Sequence, residues 1–208
     1  MKLVLLIAVP AAVGLIVLAE PLVATIFYGG VFTADDVEMT ALALQAFSVG
    51  LVGFSFVKIL APAYFAREDT RSPVRFGLIA LAVNFVLSVS LAWYLTSIGY
   101  AGTHAGLALA ISVAALLNAL LLYRGLIASA VLQHSSGWSA LLLQVLVANV
   151  VMWAVIAWLD RDLSWWLGVS NVDRISWLTI SIAAGAGAYF LVLVLLGLRP
   201  SKLGIRPH

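Results

Sequence analysis

The sequence predicts an all-α, polytopic integral membrane protein. Of its 208 residues, 64% are hydrophobic and only 10% are charged, and the mean hydropathy is +1.13, far outside the range of soluble domains. Several apolar stretches reach the roughly 20 residues that a helix needs to cross a bilayer. Because hydrocarbon offers the backbone no hydrogen-bond partners, such long, non-alternating stretches must be helices and not barrel strands. The six predicted spans are Leu3 to Tyr28, Ala41 to Tyr64, Phe76 to Tyr94, Gly102 to Tyr123, Ser139 to Leu159 and Ser176 to Leu198.

The first span is interrupted by Glu20-Pro21. The proline leaves a backbone carbonyl without its donor and is expected to kink the helix. Glu20 is a candidate substrate-path residue, either lining a cavity or reaching water at the outer surface. Gly29-Gly30 is expected to close this first helix.

The second span is expected to begin at Thr33 to Asp36, where a hydroxyl three residues before an acid predicts a capping box. An Asp-Asp pair holding a divalent metal and a pyrophosphate is the alternative. Near the other end, Lys58 lies four residues before Pro62. It either extends to the inner headgroups or binds an anionic headgroup or an acid.

Residues 67 to 71 are predicted to form a tight inner loop, with Ser72-Pro73 as the N-cap and first turn of the third helix. Within this loop we expect Arg67 and Asp69 to form an ion pair of modest worth, ~0 to 1 kcal/mol if exposed.

Polar residues inside the later spans are few. Asn84 and Ser88 lie one turn apart on the third span and share a face, where they either bind a small cation or hydrogen-bond across helices. The remaining amides are expected to join helices to one another: Gln45, Asn118, Gln144 and Asn149. Gly50 with Gly53 predicts a close helix approach. Ser170 with Asp173 predicts a second capping box before the sixth span.

Orientation follows from the basic residues, which are retained on the cytoplasmic side. If the first helix runs outwards, most of them fall inside, only Arg161 and Arg174 fall outside, and both termini are cytoplasmic. Tryptophans near the outer face agree with this orientation. The basic residues predicted inside are Lys2, Lys58, Arg67, Arg71, Arg75, Arg124, Arg199, Lys202 and Arg206. Topology therefore explains the net charge of +2 without a nucleic-acid partner.

No enzyme or metal site is predicted. The absence of cysteine excludes disulfides, thiolate metal sites and cysteine nucleophiles. His104, His134 and His208 are scattered, without partners at ligand spacing. No catalytic motif is present, and the loops are short and poor in paired acids.

Three stretches carry a family resemblance: FYGGVFTADDVEMTALALQAFSVGL, LAPAYFAREDTRSPV and HAGLALAISVAALLNALLLY. Together they closely resemble the C-terminal part of the MurJ/MviN family of bacterial lipid II flippases, within the multidrug/oligosaccharidyl-lipid/polysaccharide exporter superfamily. The most specific part is Tyr64 to Val74. The resemblance implies helices nine to fourteen of a fourteen-helix protein. Residues 1–126 would be the last four helices of the C-terminal six-helix lobe, and 127–208 would be two extra C-terminal helices with a short cytoplasmic tail.

The resemblance further implies transport of lipid II across the bacterial inner membrane by alternating access, with possible Na⁺ or proton coupling and no other cofactor. The fifth and sixth spans would supply much of a groove for the lipid tail. A cation site inferred in some members would fall at Asn84, Ser88, Ala108 and Ser112, although Ser88 replaces the acid expected there.

The family's headgroup-binding arginines lie on early helices, which do not match this sequence. We therefore expect a gene fragment or one half of a split protein, inactive without an N-terminal half as its partner. A scaffold or lipid-binding half-domain without transport is the alternative.

Overall fold

The computed structural model describes residues 1–100, 102–129 and 138–198. Across these ranges the chain is helical between short links, and the extended pairing is a single bridge between Gly29 and Phe32. The all-α prediction is therefore confirmed. The helices are α1 (Lys2–Val17), α2 (Ala19–Phe27), α3 (Ala34–Phe65), α4 (Arg71–Ser97), α5 (Thr103–Ala128), α6 (Trp138–Leu159), α7 (Leu163–Gly168) and α8 (Asn171–Leu195).

Five of these helices are long and apolar enough to cross a membrane, and the bent pair α1–α2 makes a sixth span if it is counted as one. The number of predicted spans is therefore met. The six-residue α7 was not predicted, because a helix of fewer than two turns is too short to leave a periodic pattern in the sequence.

The first span bends by 69° between α1 and α2. Pro21 has no N–H to donate to the carbonyl of Val17, so α1 ends there and a new helix begins after Leu18. Leu18 still donates to Gly14 at 2.9 Å, and Leu22 donates to Leu18 at the same distance. The predicted kink is confirmed, and it lies three residues before the proline that causes it.

Both predicted capping boxes are present. At the start of α3, Asp36 N–H donates to Thr33 Oγ1 at 3.3 Å, and Thr33 N–H donates back to Asp36 Oδ2 at 2.8 Å. At α8, Asp173 N–H donates to Ser170 Oγ at 3.3 Å. These side chains satisfy backbone donors that a helix end leaves open. Asp36 of the Asp-Asp pair is thus committed to capping.

The helices form two compact units, of which the first holds α4, α5 and α3 from Met39 onwards. Helices α3 and α5 of this unit approach each other closely at two glycines. A Cβ built at Gly53 would lie 2.7 Å from backbone atoms of Ala115 and Leu116, and one built at Gly50 would lie as close to Ser112. The predicted close approach at these two glycines is confirmed, because only glycine lets the two backbones meet here.

The second unit holds α1, α2, α6, α7 and α8. Side-chain donors join its helices: Tyr189 Oη donates to the Leu6 carbonyl at 2.8 Å, and Gln144 Nε2 donates to the Leu196 carbonyl at 2.9 Å. Gln144 therefore joins helices as predicted. Asn149 does not: its amide donates to Val145 within its own helix, because the carbonyl one turn earlier is the nearest acceptor.

This grouping places the first bent span with the last two spans. The predicted division between 1–126 and 127–208 concerns the lobes of a longer protein, and it stays a prediction.

Replacement of Gly53 by alanine tests the α3–α5 crossing. Because the new Cβ meets backbone, the helices must separate, and we expect a loss of ~1 to 3 kcal/mol, the usual range for overpacking. Thermal unfolding of the detergent-purified protein measures the loss. Gly77→Ala, on α4 of the same unit, is the control, since nothing lies within 4 Å of its Cβ. Equal melting temperatures for the two variants would contradict the close approach.

Candidate functional site

An apolar groove in the second unit has a volume of about 470 Å³. Helix α1 supplies the largest share of its wall, including Leu6, Pro10 and Gly14, and the rest comes from α6, from α8 and from Leu18 and Leu22 at the bend into α2. No charged side chain lines it. Its one hydroxyl, on Tyr189, is already donated to a backbone carbonyl. The groove therefore offers an occupant dispersion and burial, with no free hydrogen-bonding group.

Small residues on α1 create the space in this groove. Pro10, Ala11 and Gly14 present little side-chain volume along one helix face, and a Cβ built at Gly14 would meet nothing within 4 Å. Across the groove stand Met152 and Ile156 of α6 and, on α8, larger side chains such as Ile182 and Phe190. The fifth and sixth predicted spans thus form one wall, and α1, which the sequence did not implicate, forms the other.

A second, smaller cavity of about 190 Å³ lies at the loop between α3 and α4, in the first unit. Arg67 Nη1 donates to Ser129 Oγ at 3.0 Å, which ties the loop to the end of α5. Tyr64 Oη donates to the Leu122 carbonyl at 2.7 Å and joins α3 to α5 at the same end. These bonds hold the three helix ends together around a polar pocket.

Asp69 provides the cap of α4 that sequence reasoning assigned to Ser72. The helix begins at Arg71, and Thr70, at the N-cap position, makes no side-chain capping bond. Instead, Ser72 N–H donates to Asp69 Oδ1 at 3.0 Å. The N-cap prediction for Ser72 is wrong, because α4 already begins at Arg71, and Ser72 lies in its first turn with its N–H bonded to Asp69.

In place of the predicted ion pair, Arg67 bonds Ser129 and Asp69 bonds Ser72. Hydrogen bonds from the Ser72 hydroxyl and N–H lower the pKa of Asp69, and the charge of Arg67 is the smallest of the causes that lower it. Both residues therefore contact the loop's surroundings through hydrogen bonds rather than each other.

Glu20 and Lys58 do not line the apolar groove. Glu20 is half-buried in the first turn of α2 and has Asp160 and Glu38 as electrostatic neighbours. Burial raises the pKa of Asp160 in the link after α6. Lys58 is exposed on α3.

The four residues of the predicted cation site lie on α4 and α5, and their side chains make different contacts. Ser88 Oγ donates to Asn84 Oδ1 at 3.3 Å, within α4. Ser112 is fully buried and donates to the Ala46 carbonyl of α3 at 2.6 Å. Ala108 is half-buried on α5 and brings no side-chain ligand. Among the described residues there is no group of three or more His, Cys, Asp or Glu side chains suited to a metal ion.

Arg174 is the polar residue whose role the sequence did not indicate. The sequence placed it only on the outer side of the membrane, and in the structure it is 5% exposed. Its guanidinium donates to the Leu167 carbonyl at 3.0 Å and lies 4.9 Å from the centre of the Tyr28 ring. It therefore joins the end of α2 to α7 and α8. Sequence alone gives an arginine in a first helical turn, which is usually exposed.

Comparison with known proteins gives one consistent family. The family model described as lipid II flippase MurJ matches residues 1–176. The probable lipid II flippase MurJ of Vibrio cholerae is 38% identical over 202 residues, covering 97% of this chain and 37% of the relative. That of Haemophilus influenzae is 36% identical over 202 residues, with coverage of 97% and 38%. The lipid II flippase MurJ of Burkholderia cenocepacia is 36% identical over 195 residues, with coverage of 93% and 36%. The chain thus spans little more than a third of the length of these curated relatives.

The lowered pKa of Asp69 generates a prediction for pH dependence. A carboxylate whose pKa is lower folded than unfolded stabilises its contacts above the unfolded value, near 3.9, and loses that effect as pH falls through the folded value. We therefore expect the Ser72 amide to be protected from hydrogen exchange at neutral pH and to lose protection in strong acid.

Asp69→Ala should remove the protection of Ser72 at every pH, after correction for intrinsic exchange rates. Glu68→Gln is the matched control, because Glu68 is the neighbouring exposed acid. Protection that persists in Asp69→Ala would show that another group caps α4.

Proposed function

The chain belongs to the MurJ family of lipid II flippases, and from this membership we propose that it is the C-terminal part of a transporter of lipid-linked peptidoglycan precursor. The precursor crosses the bacterial inner membrane from the inner to the outer leaflet by alternating access. The chain is the part that accommodates the lipid, and it is not an enzyme.

The apolar groove between α1, α6 and α8 is the observation that carries the proposal. A pyrophosphate-sugar headgroup cannot cross hydrocarbon unaided, so a flippase must provide a polar path for the head while the tail remains in an apolar one. The groove provides the apolar path for the tail, since its wall is apolar and its one hydroxyl is already bonded. It receives part of the prenyl tail while the headgroup moves.

The headgroup contacts correspond to the part of the longer relatives that this chain does not match. No cationic side chain lines the apolar groove, and the guanidinium of the buried Arg174 is bonded to backbone carbonyls and packs on Tyr28. The second unit therefore offers a pyrophosphate no cation in the groove or at Arg174. The relatives are almost three times as long as the matched region, which leaves room for a polar lobe.

Orientation in the membrane follows the positive-inside rule. The loop holding Arg67 lies on the cytoplasmic side with both termini, and α7 with its tryptophans lies on the opposite side. Coupling to Na⁺ or protons rests on the family resemblance. Asn84 and Ser88 are the two of its four candidate residues whose oxygen atoms are not committed to another helix.

Replacement of Gly14 by leucine tests the groove. The side chain enters open space, so the fold tolerates it while the tail loses room. We expect the export rate of lipid II to fall about tenfold, equivalent to ~1.4 kcal/mol of lost accommodation. The measurement is lipid II appearing in the outer leaflet of flippase-depleted cells that produce the full-length protein.

Gly187→Leu is the matched control, because this α8 glycine also faces open space but lies outside the groove. Equal export by the two variants at equal membrane levels would refute the groove as the tail path. If the unaltered full-length protein does not restore export at all, the transport proposal itself fails, and a scaffold without transport takes its place.

A further inference from the structure

In the first unit, a third cavity, of about 470 Å³, runs along one open face of α4. Two arginines stand at its start and four apolar residues continue it. The six residues that line it are Arg71, Val74, Arg75, Leu78, Ile79 and Ala82. Their spacings of three and four residues place them on a single helical face.

The two arginines have no partner of their own. Among the described residues, neither guanidinium makes an ion pair or a hydrogen bond, whereas nearby Arg67 is bonded to Ser129. Asp69, the closest acid in sequence, bonds Ser72 and lines the other cavity. Arg71 is also the first residue of α4, where the helix dipole adds positive potential. This end of the face is therefore built for an anion.

The apolar part matches a fatty acyl chain in one leaflet. From Arg71 to Ala82 a helix rises about 16 Å, which is about half of the ~30 Å hydrocarbon core. Val74 is 59% exposed and Leu78 is 60% exposed, so the face has no cover within the part of the chain that the structure describes. The positive charge stands at the headgroup end, and the apolar surface runs towards the bilayer centre.

We propose that this face, the Arg71–Ala82 face, binds an anionic phospholipid of the leaflet that contains the α3–α4 loop. The phosphate contacts Arg71 and Arg75, and one acyl chain lies along Val74, Leu78 and Ala82. In the orientation proposed above, this is the cytoplasmic leaflet. The site is independent of the transport proposal, because it uses neither the apolar groove nor the transported lipid.

Native mass spectrometry of the full-length protein tests the site. Detergent-purified protein is titrated with dioleoylphosphatidylglycerol or with dioleoylphosphatidylcholine, which differ in headgroup charge but not in acyl chains. We expect the anionic lipid to be retained about 10- to 30-fold more tightly, the effect of two arginines near an anionic group. The double variant Arg71→Gln, Arg75→Gln should lose this preference, while Arg71→Lys, Arg75→Lys should keep most of it.

Two controls separate this site from general attraction. Arg124→Gln removes an exposed arginine of α5 that does not line the face, and it should leave the preference unchanged. Ala82→Phe fills the acyl path and should weaken both lipids, whereas Leu81→Phe, on a neighbouring exposed position outside the cavity, should not.

Three results would overturn the proposal. The first is an undiminished preference in the double glutamine variant, provided that it elutes as a folded protein. The second is an equal loss of preference in Arg124→Gln. The third is no lipid retention by the unaltered protein, which would mean that other helices of the full-length protein cover the Arg71–Ala82 face.

Discussion

Backbone hydrogen bonding in a medium without water is the constraint on which this structure depends. A peptide group in hydrocarbon has only the chain itself as partner, so every span is a helix and each interruption needs a substitute for the lost bond. The largest interruption, at Leu18, follows from the missing N–H of Pro21, and the chain resumes helical bonding at once. Where helices begin outside the apolar region, side chains such as Thr33 and Ser170 complete the capping.

The same constraint explains how the polar side chains are used. Apolar side chains gain little by exchanging lipid for a neighbouring helix, so close packing and side-chain hydrogen bonds associate the helices. Tyr64, Ser112 and Tyr189 each donate to a backbone carbonyl of another helix. These bonds occupy hydroxyls that a sequence reader would otherwise assign to ligands. Ser112 shows this directly: one of the four residues of the predicted cation site, it holds α5 against α3.

Much of this could be predicted from the sequence, because local rules govern it. Span number, the capping boxes and the proline kink depend on residues within one or two turns of each other. The wall of the groove on α1, the burial of Arg174 and the capping of α4 by Asp69 depend on which helices and loops pack together. Hydrophobicity shows that a face avoids water, but it does not show whether lipid or protein covers it. The short motif Tyr64 to Val74 indicated the family, since it combines several constrained positions in one loop.

Arg67 and Arg71 of that motif, and Arg75 directly after it, have different roles that depend on their positions relative to α4. Arg67 precedes α4 and bonds Ser129 at the end of α5, so its charge is used within the first unit. Arg71 and Arg75 lie one turn apart on α4 and face outwards beside apolar residues. The positive-inside rule assigns all three arginines to the cytoplasmic side and does not distinguish between them. The structure distinguishes a residue that fixes helix ends from two whose charge is left for a partner in the bilayer, and the four-residue spacing of Arg71 and Arg75 keeps both on one face of α4.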